Sequence, residues 1–509
     1  MPDSPHHLVT LDGSPLTLDQ VHDVARNGCS VELDPNARSR MEETRKTVEA
    51  IASGISPVYG INTGFGSLSQ VTIDHDGLHT LQRNIVRSHA AGVSDPLPND
   101  IARGMMLILS ASLSRGRSGV RPELVEHILL LLSHDIVPII PRRGSVGASG
   151  DLAPLAHLAL ALIGEGQVTY QGKVQETADV FSKLGISALE LEAKEGLALV
   201  NGTHMMCSIA ALMLSDLERV VDAAERSTAM AYDACRASHR VLDPRLHTAR
   251  NQPGQIKVAE RLRAMLKGST IVEAHLEDDP RVQDPYGLRA APQVLGAVVD
   301  AIAHVRTIVE HELGGVSDNP LVFEEGDVVS GGNFHGMPLA ISLDILRVAI
   351  CHIAGIAERR VFWVLSGVDG QNPVTPYLAH DPGLHSGLMI AQYTAAALCN
   401  ELQVIAHPAS PSNVSTSAGI EDYNSMGATA ALLAMTSVEL VRNVVAIELL
   451  VMAQAMEHQR PLVSGPAVEA THAAIREHIQ PLGEDRSPAQ DIETLSRLIE
   501  TGEIFRLTS

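Results

Sequence analysis

Leu339-Ala-Ile-Ser-Leu-Asp-Ile-Leu-Arg-Val-Ala-Ile-Cys-His-Ile-Ala-Gly-Ile-Ala357 decides the fold class. Leu339, Leu343, Leu346, Ile350, Ile353 and Ala357 recur at spacings of 4-3-4-3-4, the stripe of a packing helix. The flanking Ile341, Ile345, Val348, Ala349 and Ile356 are apolar too, and a helix apolar on nearly every side belongs inside a large bundle. Segments 205–232 and 425–456 read the same way. Aromatic residues make up only 3% of the chain, so the core is expected to be aliphatic. The fold class expected is mainly α: a long-helix bundle with a smaller mixed N-terminal region. In that region short segments alternate with Gly, Pro, Asp and Asn, and Val168–Val174 reads as a hairpin turning at Gln171-Gly172. The expected division is an N-terminal domain, 1–200, and a helical-bundle domain with C-terminal helices, 201–509.

The mixed region carries the loop Gly144-Ser-Val-Gly-Ala-Ser-Gly-Asp151. Its glycines do not follow the dinucleotide fingerprint, and no Gly-Lys-Ser/Thr follows, so a phosphate cradle is not indicated; a tight structural turn remains an alternative. Ala148-Ser149-Gly150 permits unusual chemistry. If the Gly150 nitrogen attacks the Ala148 carbonyl carbon, ring closure expels one water. Loss of the Ser149 hydroxyl expels a second and leaves an exocyclic methylene. The product is 4-methylidene-imidazole-5-one (MIO), an electrophile that no ordinary side chain supplies. Only small residues allow so close an approach of backbone to backbone. Asp151 is expected to cap a short helix, Leu155 to Ile163, ending at Gly164, whose positive N-terminal end would favour electron acceptance nearby.

Lys plus Arg number 38 against 60 Asp plus Glu, a formal charge of −22, which argues against nucleic acid or anionic membranes as partners. Five scattered cysteines without a C-x-x-C make no disulfide framework. The N-terminus lacks the basic-then-apolar pattern of a signal peptide, and no uninterrupted apolar run reaches membrane-spanning length, so a cytoplasmic protein is expected. No H-E-x-x-H or compact His/Asp cluster appears, so no metal is expected; His311-Glu312 lacks a second histidine at the needed offset.

Further motifs occur in order: Tyr59-Gly-Ile-Asn-Thr-Gly-Phe-Gly66, Asn84-Ile-Val-Arg-Ser-His-Ala-Ala-Gly92, Leu199-Val-Asn-Gly-Thr203, Val282-Gln-Asp-Pro-Tyr-Gly-Leu-Arg289, Ser317-Asp-Asn-Pro320, Gly331-Gly-Asn-Phe-His335 and Glu421-Asp422. With the 144–157 loop they make the chain resemble, over nearly its whole length, the histidine ammonia-lyases within the aromatic amino acid lyases. The resemblance implies a homotetramer whose active sites draw on several chains, and elimination of ammonia from L-histidine to give urocanate. MIO, formed from Ala148, Ser149 and Gly150, is then the electrophile, with no external cofactor. Tyr59, Tyr286 and Glu421 are implied as acid/base groups. Arg289, with the amides of Asn201 and Gln283, is implied to grip the substrate carboxylate, while Phe334 and Met389 wall the pocket. Tyr286 and Arg289, three apart, share a face of any helical turn. Activity from Tyr59 would need its phenol pKa lowered by positive charge.

His89 and Glu421 bear on substrate choice. His occupies the first place in histidine- and tyrosine-specific relatives. Glu occupies the second in histidine enzymes, where Gln is found in phenylalanine and tyrosine enzymes. A carboxylate suits an imidazole N–H and would be desolvated without return against an apolar ring. Departures from the family pattern are His204, Ile420, Tyr423 and Gly336-Met-Pro338. The alternatives are a tyrosine, phenylalanine or other aryl amino acid substrate, a 2,3-aminomutase, or a helical scaffold with an uncyclised loop.

Overall fold

A computed structural model describes residues 8–277 and 279–506, without the side chains of Phe505 and Arg506. The N-terminal heptapeptide on which the targeting expectation rests lies outside the described residues. The protein is mainly α, with only short strands. The three long helical readings appear as His204–Ala234, Met337–Ser366 and Gly427–Glu457. The hairpin appears as Gln167–Tyr170 and Lys173–Glu176, antiparallel, with Gln171 and Gly172 both in the left-handed region that a two-residue turn requires.

The chain forms two compact units. One comprises residues up to Ser215, Arg306–Asp344 and Pro408–Leu432; the other comprises Asp216–Val305, Ile345–His407 and the chain from Leu433. In the first unit, the helix Asn99–Ser114 is buried on almost every side. Gly104 lets the start of His204–Ala234 approach it: a Cβ there would stand 2.3 Å from Ser208 Oγ, which donates to Ile101 O at 2.8 Å. In the second unit, a fully buried ion pair joins Arg360 to Glu448, whose Oε2 also accepts from Ser227 Oγ at 2.6 Å.

The stripe from Leu339 to Ala357 is buried. Part of its flank is not: Ile341, Ile345 and Val348 are 40–47% exposed, whereas Ile356 is buried. The expectation of burial on every side is therefore corrected for this face. The reading that nothing is long and apolar enough to cross a membrane is also corrected. By length and composition Ala291–Leu313, Met337–Ser366 and Gly427–Glu457 are, because their few charges are widely spaced. One of those charges, Glu448, is paired inside the protein.

Candidate active site

Every element around the loop 144–152 belongs to the first unit. The loop 144–152 is tightly wound, with positive φ at Gly147 (82°), Ser149 (49°), Gly150 (83°) and Leu152 (44°). Such angles cost a non-glycine residue about 1–3 kcal/mol each. The loop is held by pairing with Gly202: Gly202 N donates to Ser149 O at 3.0 Å, and Asp151 N donates to Gly202 O at 2.7 Å. A Cβ on Gly150 would lie 2.0 Å from Gly202 O, so no other residue fits there. Met426 N donates to Val146 O at 3.0 Å, and a Cβ on Gly147 would meet Ser425 Oγ at 2.1 Å, so the 408–432 segment packs on the loop from another side. These bonds use the Ser149 carbonyl and the Asp151 amide. Among the described residues, the Ala148 carbonyl and the Gly150 N–H, the two groups that must join in a ring, take part in no hydrogen bond. A small, glycine-bounded, clamped tripeptide therefore fits the self-condensation its composition permits.

Asp151 does not cap the helix that follows. That helix, Ala153–Leu162, begins after Leu152 with no side-chain cap. The Asp151 carboxyl instead accepts from Met205 N at 2.6 Å, at the start of His204–Ala234. The cap expected locally is thus made to a helix some fifty residues further on. Burial pushes the Asp151 carboxyl up to about 8, against opposing hydrogen bonds from the Met205 and Met206 amides, so it is protonated at neutral pH.

Ser149 opens on a cavity of about 390 Å³ whose lining includes Tyr59, His89, Asn201, Ser417 and Glu421. Four expected site residues thus meet around the expected electrophile. His89 ends the helix Leu78–His89. Burial lowers its pKa, opposed by the Ile85 backbone and by Glu421, so its imidazole is neutral at pH 7. Ser88 Oγ gives its hydrogen to Ile85 O at 3.2 Å and lies 3.1 Å from His89 Nδ1. With its hydrogen so used, Ser88 Oγ accepts from Nδ1–H and leaves Nε2 as an acceptor. Burial raises the Tyr59 phenol, and Glu421 and Asp318 add to the rise while the Gly66 backbone opposes it. The lowering that activity from Tyr59 would need is not supplied within its own unit: the charges facing it there are negative, and the phenol holds its proton.

Asn201 is 3% exposed, and its amide nitrogen donates to Asp318 Oδ1 at 3.2 Å and to Asn319 O at 2.8 Å. Both partners can only accept, so the orientation of the amide is settled. What remains for the cavity is its carbonyl oxygen, an acceptor for an amine and not a holder of carboxylate. Beneath it lies a residue the sequence did not single out. Lys194 is fully buried at φ 74° and donates to Asp318 Oδ2 at 2.6 Å. Burial lowers its pKa against the pull of Asp318. The Ser-Asp-Asn-Pro motif marked the acid, but nothing local marked the lysine that pairs with it. Phe65, Leu152 and Ser417 also line the cavity without having been singled out.

The other expected residues do not line this cavity. Phe334 is half-buried in the first unit. Gln283, Tyr286, Arg289 and Met389 belong to the second unit. There Tyr286 and Arg289 form one helical turn, as expected from their spacing. The guanidinium lies 4.2 Å from the Tyr286 ring centre, and its Nε donates to Asp284 O at 3.0 Å. Gln283 is exposed, Tyr286 is 70% exposed, and Met389 opens the helix Met389–Ile405. Among the described residues, no group of three or more His, Cys, Asp or Glu is placed to hold a metal ion.

The family described as aromatic amino acid lyase matches residues 16–477. The histidine ammonia-lyase of Deinococcus radiodurans is 47% identical over 493 residues, 97% of this chain and 94% of that protein. Among solved structures, tyrosine aminomutase from Streptomyces globisporus superposes with a TM-score of 0.93 at 36% identity, covering 98% of each chain. Histidine ammonia-lyase from Trypanosoma cruzi superposes with a TM-score of 0.91 at 37% identity, covering 99% of this chain and 95% of that one.

Proposed function

We infer, for a chain that belongs to the aromatic amino acid lyase family, that it eliminates ammonia from L-histidine to give urocanate. The carrying observation is that Ser149 shares one cavity with Glu421, His89 and Tyr59. Relatives named histidine ammonia-lyase, such as that of D. radiodurans, support the choice of substrate.

The reaction breaks the Cα–N bond, removes a proton from Cβ and forms the carbon–carbon double bond between them. We assign Ala148-Ser149-Gly150 as the source of MIO, which when formed supplies an electrophile for the substrate nitrogen. Around it, the Asn201 carbonyl oxygen accepts from the substrate amine. Glu421 and the neutral His89 offer acceptors to the substrate's ring N–H. Tyr59, protonated as its surroundings dictate, gives a proton from its phenol oxygen to the departing nitrogen, and Glu421 or Tyr286 receives the Cβ proton. Arg289, whose planar fork matches a carboxylate, and Gln283 hold the substrate carboxylate.

Arg289, Gln283, Tyr286 and Met389 reach substrate in this reading as contributions from further copies of the chain. The assembly proposed is a homotetramer with composite sites. Support comes from the uncovered apolar side chains: Ile341, Ile345 and Val348 at helical spacing, and Ile390, Tyr393 and Val404 on Met389–Ile405. Burial of these helices against other copies, with no lipid contact, and a cytoplasmic location complete the proposal.

A second reading keeps the chemistry and changes the substrate to tyrosine, as a lyase or 2,3-aminomutase. The likeness to a tyrosine aminomutase favours it. Purified protein offered histidine, tyrosine and phenylalanine, with unsaturated acid and β-amino acid both measured, separates the two. Preference for histidine with urocanate as product is expected; preference for tyrosine refutes the reading of Glu421.

A further inference from the structure

Glu421 sits at the end of a tight loop closed by its own backbone: Thr416 N donates to Glu421 O at 2.9 Å, and Glu421 N donates to Thr416 O at 3.3 Å. Between them Ser417 (φ 50°), Ala418 (φ 52°) and Gly419 (φ 91°) turn through the left-handed region. Side chains add a directed relay. Asn424, 1% exposed, donates from Nδ2 to Val414 O at 2.7 Å and to Thr416 Oγ1 at 3.4 Å. Thr416 Oγ1, accepting from Asn424, has one hydrogen left to give. Glu421 Oε2, 2.9 Å away, is the nearer of two acceptors for it, the other being the Glu421 backbone carbonyl at 3.3 Å. The other oxygen, Oε1, faces Gly66, where a Cβ would stand 3.8 Å from it; Gly66 lines the same cavity.

We propose that Thr416 is a positioning residue that sets substrate choice: by occupying Oε2 it leaves Glu421 one free oxygen aimed at the substrate's ring N–H. The inference rests on the reading of this site as one for L-histidine. Asn424 fixes the sense of the relay, since the amide can only donate to the hydroxyl, and of the two acceptors the hydroxyl hydrogen can then reach, the carboxylate oxygen at 2.9 Å is nearer than the Glu421 carbonyl at 3.3 Å. A hydrogen bond to an ionised acceptor is among the stronger kinds. Without it, Glu421 can turn either oxygen, or both, away from the substrate. A carbocyclic side chain has no N–H to offer and gains nothing from the arrangement.

The test is to make Thr416→Val, Thr416→Ala and Thr416→Ser, confirm by intact mass that each has matured as the wild type does, and measure two constants for each. These are KM for L-histidine and the inhibition constant of L-phenylalanine against histidine turnover. Val and Ala are expected to raise KM for histidine about tenfold, the effect of about 1.4 kcal/mol. They should change kcat less and leave the phenylalanine constant within about twofold. Ser, which keeps the hydroxyl, should restore the wild-type KM. The paired Val and Ala variants free the result from any one side chain's fit. Parallel weakening of both ligands, failure of Ser to restore, or an unchanged KM in Val and Ala overturns the inference alone. Absence of histidine turnover by the wild type overturns the proposed function and this inference with it.

Discussion

The buried pair Lys194–Asp318 beneath the cavity allows a quantitative test. Both side chains are almost fully buried, their Nζ–Oδ2 separation is 2.6 Å, and Asp318 also accepts from Asn201 Nδ2 and from its neighbour's amide, Asn319 N, at 2.6 Å. Lys194→Met removes the cation and leaves the carboxylate buried without its partner, a change that costs about 3–5 kcal/mol. Unfolding entropy of about 2 cal/mol/K per residue gives a chain of 509 residues about 1 kcal/mol/K. A cooperative transition should therefore move down by about 3–5 °C. Asp318→Asn leaves a lysine that burial already pushes toward its neutral form, so it should lose less. The double variant, with no buried charge left unpaired, should be more stable than Lys194→Met alone. Calorimetry on the wild type, both singles and the double closes the cycle. Additivity within about 0.5 kcal/mol, the behaviour of independent sites, would refute the coupling.

The remaining predictions concern the loop and the cavity. Asp151 holds its proton to about pH 8 when folded, while an unfolded Asp ionises near its ordinary value of 3.8. Between those values the folded state binds more protons, so the stabilisation is complete below the lower value and is lost as pH rises through the upper one. Denaturation midpoints should accordingly fall from pH 5 to pH 8, and Asp151→Asn should flatten that slope; an unchanged slope in the variant contradicts the burial argument. Gly150→Ala places a Cβ 2.0 Å from Gly202 O, so it should stop condensation. An intact mass equal to the full sequence mass would bear this out, and loss of two waters would contradict it. Glu421→Gln should lower kcat/KM for histidine about tenfold or more while leaving phenylalanine binding intact. Equal losses for both would show that Glu421 does not read the ring.

What the sequence disclosed was what periodicity and small-residue chemistry control. The stripe at Leu339–Ala357 foretold the helix Met337–Ser366, and Gln171-Gly172 foretold its hairpin, because both signals are local. The same locality misled for Asp151. A good capping residue stands next to a helix start, yet the fold turns its carboxyl to Met205, and no spacing rule reports such a distant partner. The charges around Tyr59 were not legible either: Glu421 and Asp318, both hundreds of residues away, face it within its unit. Lys194 was invisible because an isolated lysine usually signifies solvent, and only the three-dimensional meeting with Asp318 reverses that. Thr416 lay in an unremarked Ser-Thr-Ser run whose importance comes from closing a loop on Glu421. The orientation of Asn201 likewise depended on acceptors more than a hundred residues away.

Condensation of the tripeptide is what the proposed chemistry requires, and the mass of the intact chain reads it directly. Active, fully matured wild-type protein should weigh two waters less than its sequence, while a folded, inactive Ser149→Ala should not show that double loss. Turnover of histidine by protein of full, undiminished mass would contradict the account.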